Sequence, residues 1–419
     1  MAVIDLGELR DDVAPDPPAR PPRAVGRPYR CLVVLLVAVV TLAGAAPAPR
    51  RVVATVPGGP TATAFVLDDR VYVMEPPDPG RGTGRQLVAY RATAGRARTL
   101  WRVPLPGDRV VLTGWAVDGW LLLANRAADD TGFETLALDA ATGRLGWRHP
   151  GVPLRAGDAV LLNASDGSGA NEISRVDPRT GRTVWSVSAP SVQLWLRPGP
   201  VGAERLVLRH DSGRVEVLET TSGARLAARD RPAGSGIVAT TSRMLVASNV
   251  DGTVTGYDLD RLEPRWTVSL PGVDFADSCG RSLCAFRQSG GVLVLDPATG
   301  ALRWTDPRWS SWLTAVDGLL LVVRPALTSS ALAVVEEDTG RLVADLGEWE
   351  LVPWEDGDAL ITGVRLGADG RLVIAELDLA AGRARILDAL PDAIGDCRSG
   401  GALLVCHRID GRFVLWWNR

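Results

Sequence analysis

A ten-residue unit that recurs about every 40 residues, short apolar segments between its copies, and a scarcity of Gly- and Pro-free stretches long enough for helices predict an all-β chain. The expected architecture is a β-propeller of four-stranded blades. The unit is clearest as LDPATGALRW, Leu295 to Trp304. Its copies start at Tyr90, Leu138, Val176, Leu218, Tyr257, Leu295, Val335 and Leu377, with spacings of 48, 38, 42, 39, 38, 40 and 42 residues. One copy per four-stranded blade fits that period. Length alone, 419 residues, is compatible with one large domain or several smaller ones.

Within the unit each position has a local task. One residue after the start stands an acid: Asp139, Asp177, Glu219, Asp258, Asp296, Glu336 or Asp378, with Arg91 the exception. Five after it stands Gly95, Gly143, Gly181, Gly223, Gly300, Gly340 or Gly382, with Leu262 departing. A carboxylate leaving a strand accepts backbone N–H bonds in the turn, and Gly takes the positive φ that a Cβ penalises. The unit therefore joins two antiparallel strands. Nine after the start lie Trp147, Trp185, Trp266 and Trp304, with Trp101 two further on and no Trp in the copies at Leu218, Val335 and Leu377. These indoles fall on the outer, fourth strand, where a large ring fills the wedge between blades and buries on the order of 150–250 Å².

Between units the sequence supplies two more short strands, as in Val273 to Ser278 and Leu283 to Gln288, with a third leading into the next unit. Asp251-Gly252, Asp369-Gly370 and Asp410-Gly411 have the chemistry of tight hairpins. The C-terminal Arg412 to Trp417 reads as a third strand with nothing after it, and Arg51 to Val56 as a fourth with nothing before it. Pairing them closes the ring and removes its open edges. Counted literally this makes eight repeat blades and a closing one; eight is the commoner number for such repeats, so an eight-bladed ring is the expectation and nine the literal count.

The first fifty residues are of another kind. Residues 1–30, rich in Pro and Arg, read as a disordered cytoplasmic tail. Residues 31–49 run without a charge over nearly the roughly 20 residues that span a bilayer core. Arg20, Arg23, Arg27 and Arg30 precede this stretch, which places the tail inside and residues 51–419 outside the cell membrane. The alternative is a secreted chain, since Ala43-Gly44-Ala45 has the small residues of a signal-cleavage site. Net charge is −3 with both signs interspersed, so no basic stripe points to nucleic acid. All 46 basic residues are Arg, which fits the codon bias of a high-GC actinobacterium.

Units such as LDAATGRLGW (Leu138 to Trp147) and LDPATGALRW resemble the repeats of quinoprotein-like, or PQQ-like, propellers over residues 51–419. The resemblance implies the fold; the scaffold itself serves dehydrogenases, assembly scaffolds and sensor ectodomains alike. Its dehydrogenase branch implies pyrroloquinoline quinone with calcium, an adjacent pair of cysteines over the quinone, a Trp floor, and Glu, Asn and Asp about the metal. No two cysteines are adjacent here, and no long insertion caps the channel.

Other constellations read as structural. Cys279 with Cys284, and Cys397 with Cys406, bracket the turn between the first and second strands of a blade. An exported chain with an even count favours two disulfides, each closing a short loop and contributing about 2–3 kcal/mol. His149, His210 and His407 are scattered over different blades, as metal ligands are not. Ser165 to Glu172 is oxygen-rich but lacks the distal bidentate Glu of a calcium loop and reads as a solvated hairpin. No nucleophile-elbow pattern is present. Trp309 with Trp312, and Trp349 with Trp354, read as packing between blades. Residues 76–85 form the longest loop, on the face opposite the Thr-Gly turns, where binding is expected. The expected function is a non-enzymatic, membrane-anchored scaffold for an unidentified protein or envelope component, without catalytic, cofactor or metal residues. A quinone-dependent dehydrogenase and a sensor ectodomain working with a separate partner are the alternatives.

Overall fold

The computed structural model describes Leu35 and residues 53–417, apart from residues 68, 78–79, 81–83, 94, 106–110, 127–131, 158, 166–170, 189–191, 200–201, 232–235, 242–243, 250, 288–289, 326–329 and 354–360. Among these residues the strands form nine four-stranded antiparallel sheets. Eight use four consecutive strands each: residues 63–104, 111–150, 152–188, 192–229, 236–269, 273–306, 311–348 and 350–390, numbered here as blades one to eight. Blade nine combines Ala393–Gly400, Leu403–Arg408 and Phe413–Trp417 with the N-terminal Val53–Val56.

The closing pair is in register from Val53 opposite Trp416 to Val56 opposite Phe413. Both termini of the propeller thus lose their free edges in one antiparallel pairing. The expectation of eight blades is corrected to nine. Each of the eight units keeps four strands of its own, so the terminal strands join no repeat and build a separate sheet.

Burial follows from the blades being covered on both faces. The second strands read as unbroken apolar runs, as in Leu121 to Ala124 or Leu206 to Leu208, and these residues are fully buried. Nine apolar clusters result, each lying between two consecutive blades. Leu121 and Leu123 of blade two pack on Leu87 and Trp101 of blade one, and the last cluster joins Leu403 and Leu415 of blade nine to Val88 and Tyr90 of blade one. The circle of seams is complete. By contrast the fourth strands alternate exposed and half-buried residues, as in Leu145–Pro150 and Thr183–Ser188.

Both cysteine pairs lie at disulfide distance, with Cα separations of 5.7 Å for Cys279–Cys284 and 4.1 Å for Cys397–Cys406. The tail of residues 1–30 and the apolar stretch 31–49 fall outside the described residues, Leu35 apart. Among the described residues no helix is long and apolar enough to cross a membrane.

Closure by packing on both faces makes one stability comparison decisive. Leu415 is completely buried in the closing blade, whereas Leu302 on the fourth strand of blade six is 50% exposed. Leu415→Ala is expected to cost about 2–5 kcal/mol, and Leu302→Ala less than about 0.5 kcal/mol, as read from urea unfolding curves of the two variants.

Candidate functional site

The repeated turn is built from its own side chains. In blade six the Asp296 carboxylate accepts hydrogen bonds from the amides of Ala298 and Thr299, at 2.9 and 3.0 Å, and from the Thr299 hydroxyl at 3.2 Å. The Gly300 amide closes the turn on the Asp296 carbonyl at 2.8 Å. Asp139 with Thr142, and Asp177 with Thr180, repeat this arrangement. Where the acid is Glu, the side chain accepts from the turn hydroxyl and not from the turn amides, as Glu336 does with Thr339 at 2.6 Å, and Glu336 also accepts from the Arg341 guanidinium. Asp258, which has no such hydroxyl, accepts from Arg265 at 2.6 Å instead.

Bonds to the charged form hold these carboxyls below the ordinary Asp range. The hydroxyl and amide of Thr142 act on Asp139, the Thr180 amide and hydroxyl on Asp177, and the Arg265 and Arg303 guanidiniums on Asp258 and Asp296.

The Gly and the Trp of the unit, assigned separate tasks in the sequence, meet across each seam. Trp147 Nε1 donates to the Pro178 carbonyl of the next blade at 2.9 Å, and Trp266 Nε1 to the Pro297 carbonyl at 2.9 Å. Trp101, Trp185 and Trp304 make the same bond to Ala140, Thr220 and Glu337. Each ring then lies against the turn glycine of that next blade. A Cβ at Gly143, Gly181, Gly223, Gly300 or Gly340 would fall 2.5–2.7 Å from the indole of Trp101, Trp147, Trp185, Trp266 or Trp304. Glycine is thus required twice, by a φ of +72° at Gly300 and by the ring beneath it.

The departures from the consensus obey the same rule. Leu262 holds a φ of 56° with a side chain in place of Gly. Blade four, which precedes it, has Ala227 where the Trp would stand, and the buried Leu262 takes up part of that space. Between blades eight and nine the link reverses direction, Trp416 Nε1 donating to Asp388 at 3.0 Å.

These residues are distributed around the ring, and no cavity among the described residues gathers them. Both faces carry concavities. On the turn face one of about 620 Å³ lies between blades four, five and six, bordered by Arg197, Thr241, Asp258, Arg265, Ser278 and Arg281. On the opposite face a cavity of about 610 Å³ is bordered by Trp349, Arg365 and Leu366. There Arg365 stacks over the Trp349 ring at 4.3 Å. Trp354 and parts of the 76–85 and 165–172 loops lie outside the described residues; Ser165 and Asn171 face each other across a hairpin.

Glu337 was not singled out by its sequence. Its side chain is 2% exposed and accepts hydrogen bonds from the Arg281 amide and the Ser282 hydroxyl, both at 2.8 Å, inside the Cys279–Cys284 hairpin of the preceding blade. The available signal was a carboxylate two residues into the unit, where the other copies carry Ala, Pro, Thr or Leu. The three histidines stand on blades two, four and nine, and among the described residues no three His, Cys, Asp or Glu side chains converge as a metal site would require.

Blades of this kind, with a Trp of the outer strand docked on the acid-Thr/Ser-Gly turn of the next blade at five of the seams, define a PQQ-like β-propeller. The family described as outer membrane protein assembly factor BamB matches residues 169–386, more than half of the chain, and the chain belongs to it. Among solved structures it is similar to BamB from Moraxella catarrhalis, at 17% identity over 88% of this chain and 98% of that one, with a TM-score of 0.41. The computationally designed Ika8 protein matches at 15% identity over 74% and 97%, TM-score 0.46. The C-terminal WD40 domain of Sif2 matches at 8% identity over 88% and 98%, TM-score 0.45. None of the curated proteins matches in sequence.

The seam makes a double-mutant cycle informative. Trp266→Ala is expected to cost about 3–5 kcal/mol. Gly300→Ala costs the left-handed backbone penalty of about 1–2 kcal/mol plus the clash with the indole in the wild-type background, and only the former in Trp266→Ala. Additive costs in denaturant unfolding would refute the contact.

The turn carboxylates also set an acid limit. Their folded pKa values lie below the unfolded value near 3.9, so their contribution is complete above that value and is lost as pH falls through the folded ones. Asp296→Asn is expected to flatten the fall of the melting temperature below about pH 4, a change measurable by calorimetry from pH 6 downward.

Proposed function

We propose that the chain is a non-enzymatic scaffold held outside the cytoplasm, whose propeller binds a protein or envelope component. Membership of a family described by an assembly factor carries this reading. The chemistry of the repeat supports it. The carboxylates, hydroxyls and indoles that recur most are all engaged in turns and seams, where they hold blades together and face no common cavity. A propeller fixed in this way presents two broad rims of loops to a partner at little entropic cost.

In this reading residues 31–49 anchor the chain in the cell membrane with residues 1–30 inside, or serve as a signal that is removed to release it. The Arg-only set of basic residues fits a high-GC actinobacterial source. Pyrroloquinoline quinone with calcium does not fit the residues present. The cysteines that would lie over the quinone are spent in two separate pairs five and nine residues apart, each closing a hairpin.

A photoreactive residue placed at Val316 on the turn face, or at Leu366 on the other, tests the scaffold reading in intact cells. One discrete cross-linked protein is expected from at least one position, with the propeller digested by protease added outside. A propeller protected in intact cells but not in lysed ones would refute the location. Stoichiometric quinone binding with dye-linked alcohol oxidation by the purified full chain would refute the non-enzymatic role.

A further inference from the structure

The turn-face cavity between blades four, five and six contains an unmatched cation. Three guanidiniums border it, and two are neutralised where they stand. Arg265 Nη2 lies 2.6 Å from Asp258 Oδ2, and Arg281 Nη2 lies 3.0 Å from Asp338 Oδ2. Arg197, on the first strand of blade four, Val192–Gly199, makes no ion pair or hydrogen bond among the described residues, and its Nε is enclosed without a partner. Burial pulls the Arg197 pKa below its ordinary value, and the Asp277 carboxylate opposes that pull from beyond pairing distance. A guanidinium stays charged under such a shift, and an unmatched, desolvated charge is costly. An acceptor arriving from outside the chain would recover that cost.

The walls are held before any ligand comes. The hairpin carrying Gly280, Arg281 and Ser282 is closed by Cys279–Cys284 and buttressed by the buried Glu337. Ser278, on the strand leading into that hairpin, presents a hydroxyl that has no hydrogen-bond partner among the described residues. A planar fork beside a hydroxyl suits a carboxylate, which accepts two parallel N–H bonds. With Arg265 paired to Asp258 and Arg281 to Asp338, Arg197 is the one guanidinium of the three left without an ion pair among the described residues, and the nearby Asp277 already offsets part of its charge, which suits at most a monoanion and disfavours the two charges of a phosphoryl group. A volume of about 620 Å³ exceeds one carboxyl group and accommodates a few residues around it.

We propose that this cavity binds a single carboxylate of a partner polypeptide, an acidic side chain or a chain end, through the Arg197 guanidinium and the Ser278 hydroxyl. The proposal rests on the scaffold reading and names the chemistry by which the turn face would hold its partner.

The test uses the full chain and fluorescent octapeptides of one Gly-Ser-Leu background, read by anisotropy. One peptide carries a central Glu and an amidated end, a second a central Gln and a free carboxylate end, a third Gln with an amidated end, and a fourth phosphoserine with an amidated end. The first or second peptide is expected to bind at least tenfold more tightly than the third, and whichever does so identifies the source of the carboxylate. Arg197→Gln is expected to abolish the difference without lowering the melting temperature, because it removes an unpaired charge; Arg365→Gln on the other face leaves the difference intact. Equal binding of all four peptides, binding of none, preference for phosphoserine, or a carboxylate preference surviving in Arg197→Gln would overturn the proposal. A partner still cross-linked in cells by Arg197→Gln would retire this site and leave the scaffold reading standing, whereas failure to cross-link any partner from either face of the wild type retires that reading.

Discussion

The contact on which the ring depends is the docking of a tryptophan from one blade under the Asp-Thr-Gly turn of the next. Nine sheets meet along seams, and across five of them a side chain of the outer strand must reach the turn of the next blade. An indole does, and burying about 150–250 Å² at about 25 cal/mol per Å² gives a gross stabilisation of roughly 4–6 kcal/mol per seam before ordering costs. The ring N–H then has to be satisfied, and the carbonyl two residues into the next unit accepts it. A single contact thereby fixes both the separation of two blades and their rotation, and the turn glycine is forced to lack a side chain by the ring it covers.

Seams without this contact are filled by other means, which shows what the contact must supply. Ala227 leaves space that Leu262 partly occupies from the opposite side, and the Arg229 guanidinium reaches the Leu262 carbonyl at 2.9 Å. Ala344 meets the turn of blade eight at Gly382, where a Cβ would still fall 2.9 Å from the Ala344 methyl. Steric closeness is kept in each case although the ring is gone. The ninth seam closes without a repeat unit on one side, through the apolar cluster of Val405, Phe413 and Leu415 with Val71 and Val88.

Most of this architecture is legible in the sequence because it is local and repeated. A carboxylate, a hydroxyl and a glycine within six residues specify a turn whatever surrounds them, and eight copies of the unit set the blade boundaries. Closure was legible too, since RFVLWW and RVVATV each lacked a partner. The copies and the two unpaired terminal strands add up to nine blades, and only the usual number for such repeats argues for eight. Pairings between side chains of different blades were not legible. Trp266 and Gly300 stand 34 residues apart and Ser282 and Glu337 stand 55 apart, and no periodic pattern announces a contact that depends on how one blade is turned against the next. Arg197 is a further case, an arginine among 46 whose enclosed Nε has no hydrogen-bond partner among the described residues.

The two faces of the ring follow from the direction of the strands. First-to-second and third-to-fourth connections share one face, so the short, internally bonded turns and the disulfide-closed hairpins gather there, while the second-to-third loops and the links between blades emerge on the other. The turn face is therefore the one braced by turn hydrogen bonds and by both disulfides. A rigid rim is a poor place for adaptable recognition and a good one for placing a fixed charge, since a guanidinium held by packed strands gives up little freedom when its partner arrives. On the loop face Arg365 stacks over the buried Trp349 beside the exposed Leu366, at the border of a cavity of similar volume. The two faces thus differ in the connections they carry, internally bonded turns and closed hairpins on one and second-to-third loops and blade links on the other, and the division arises from strand connectivity alone.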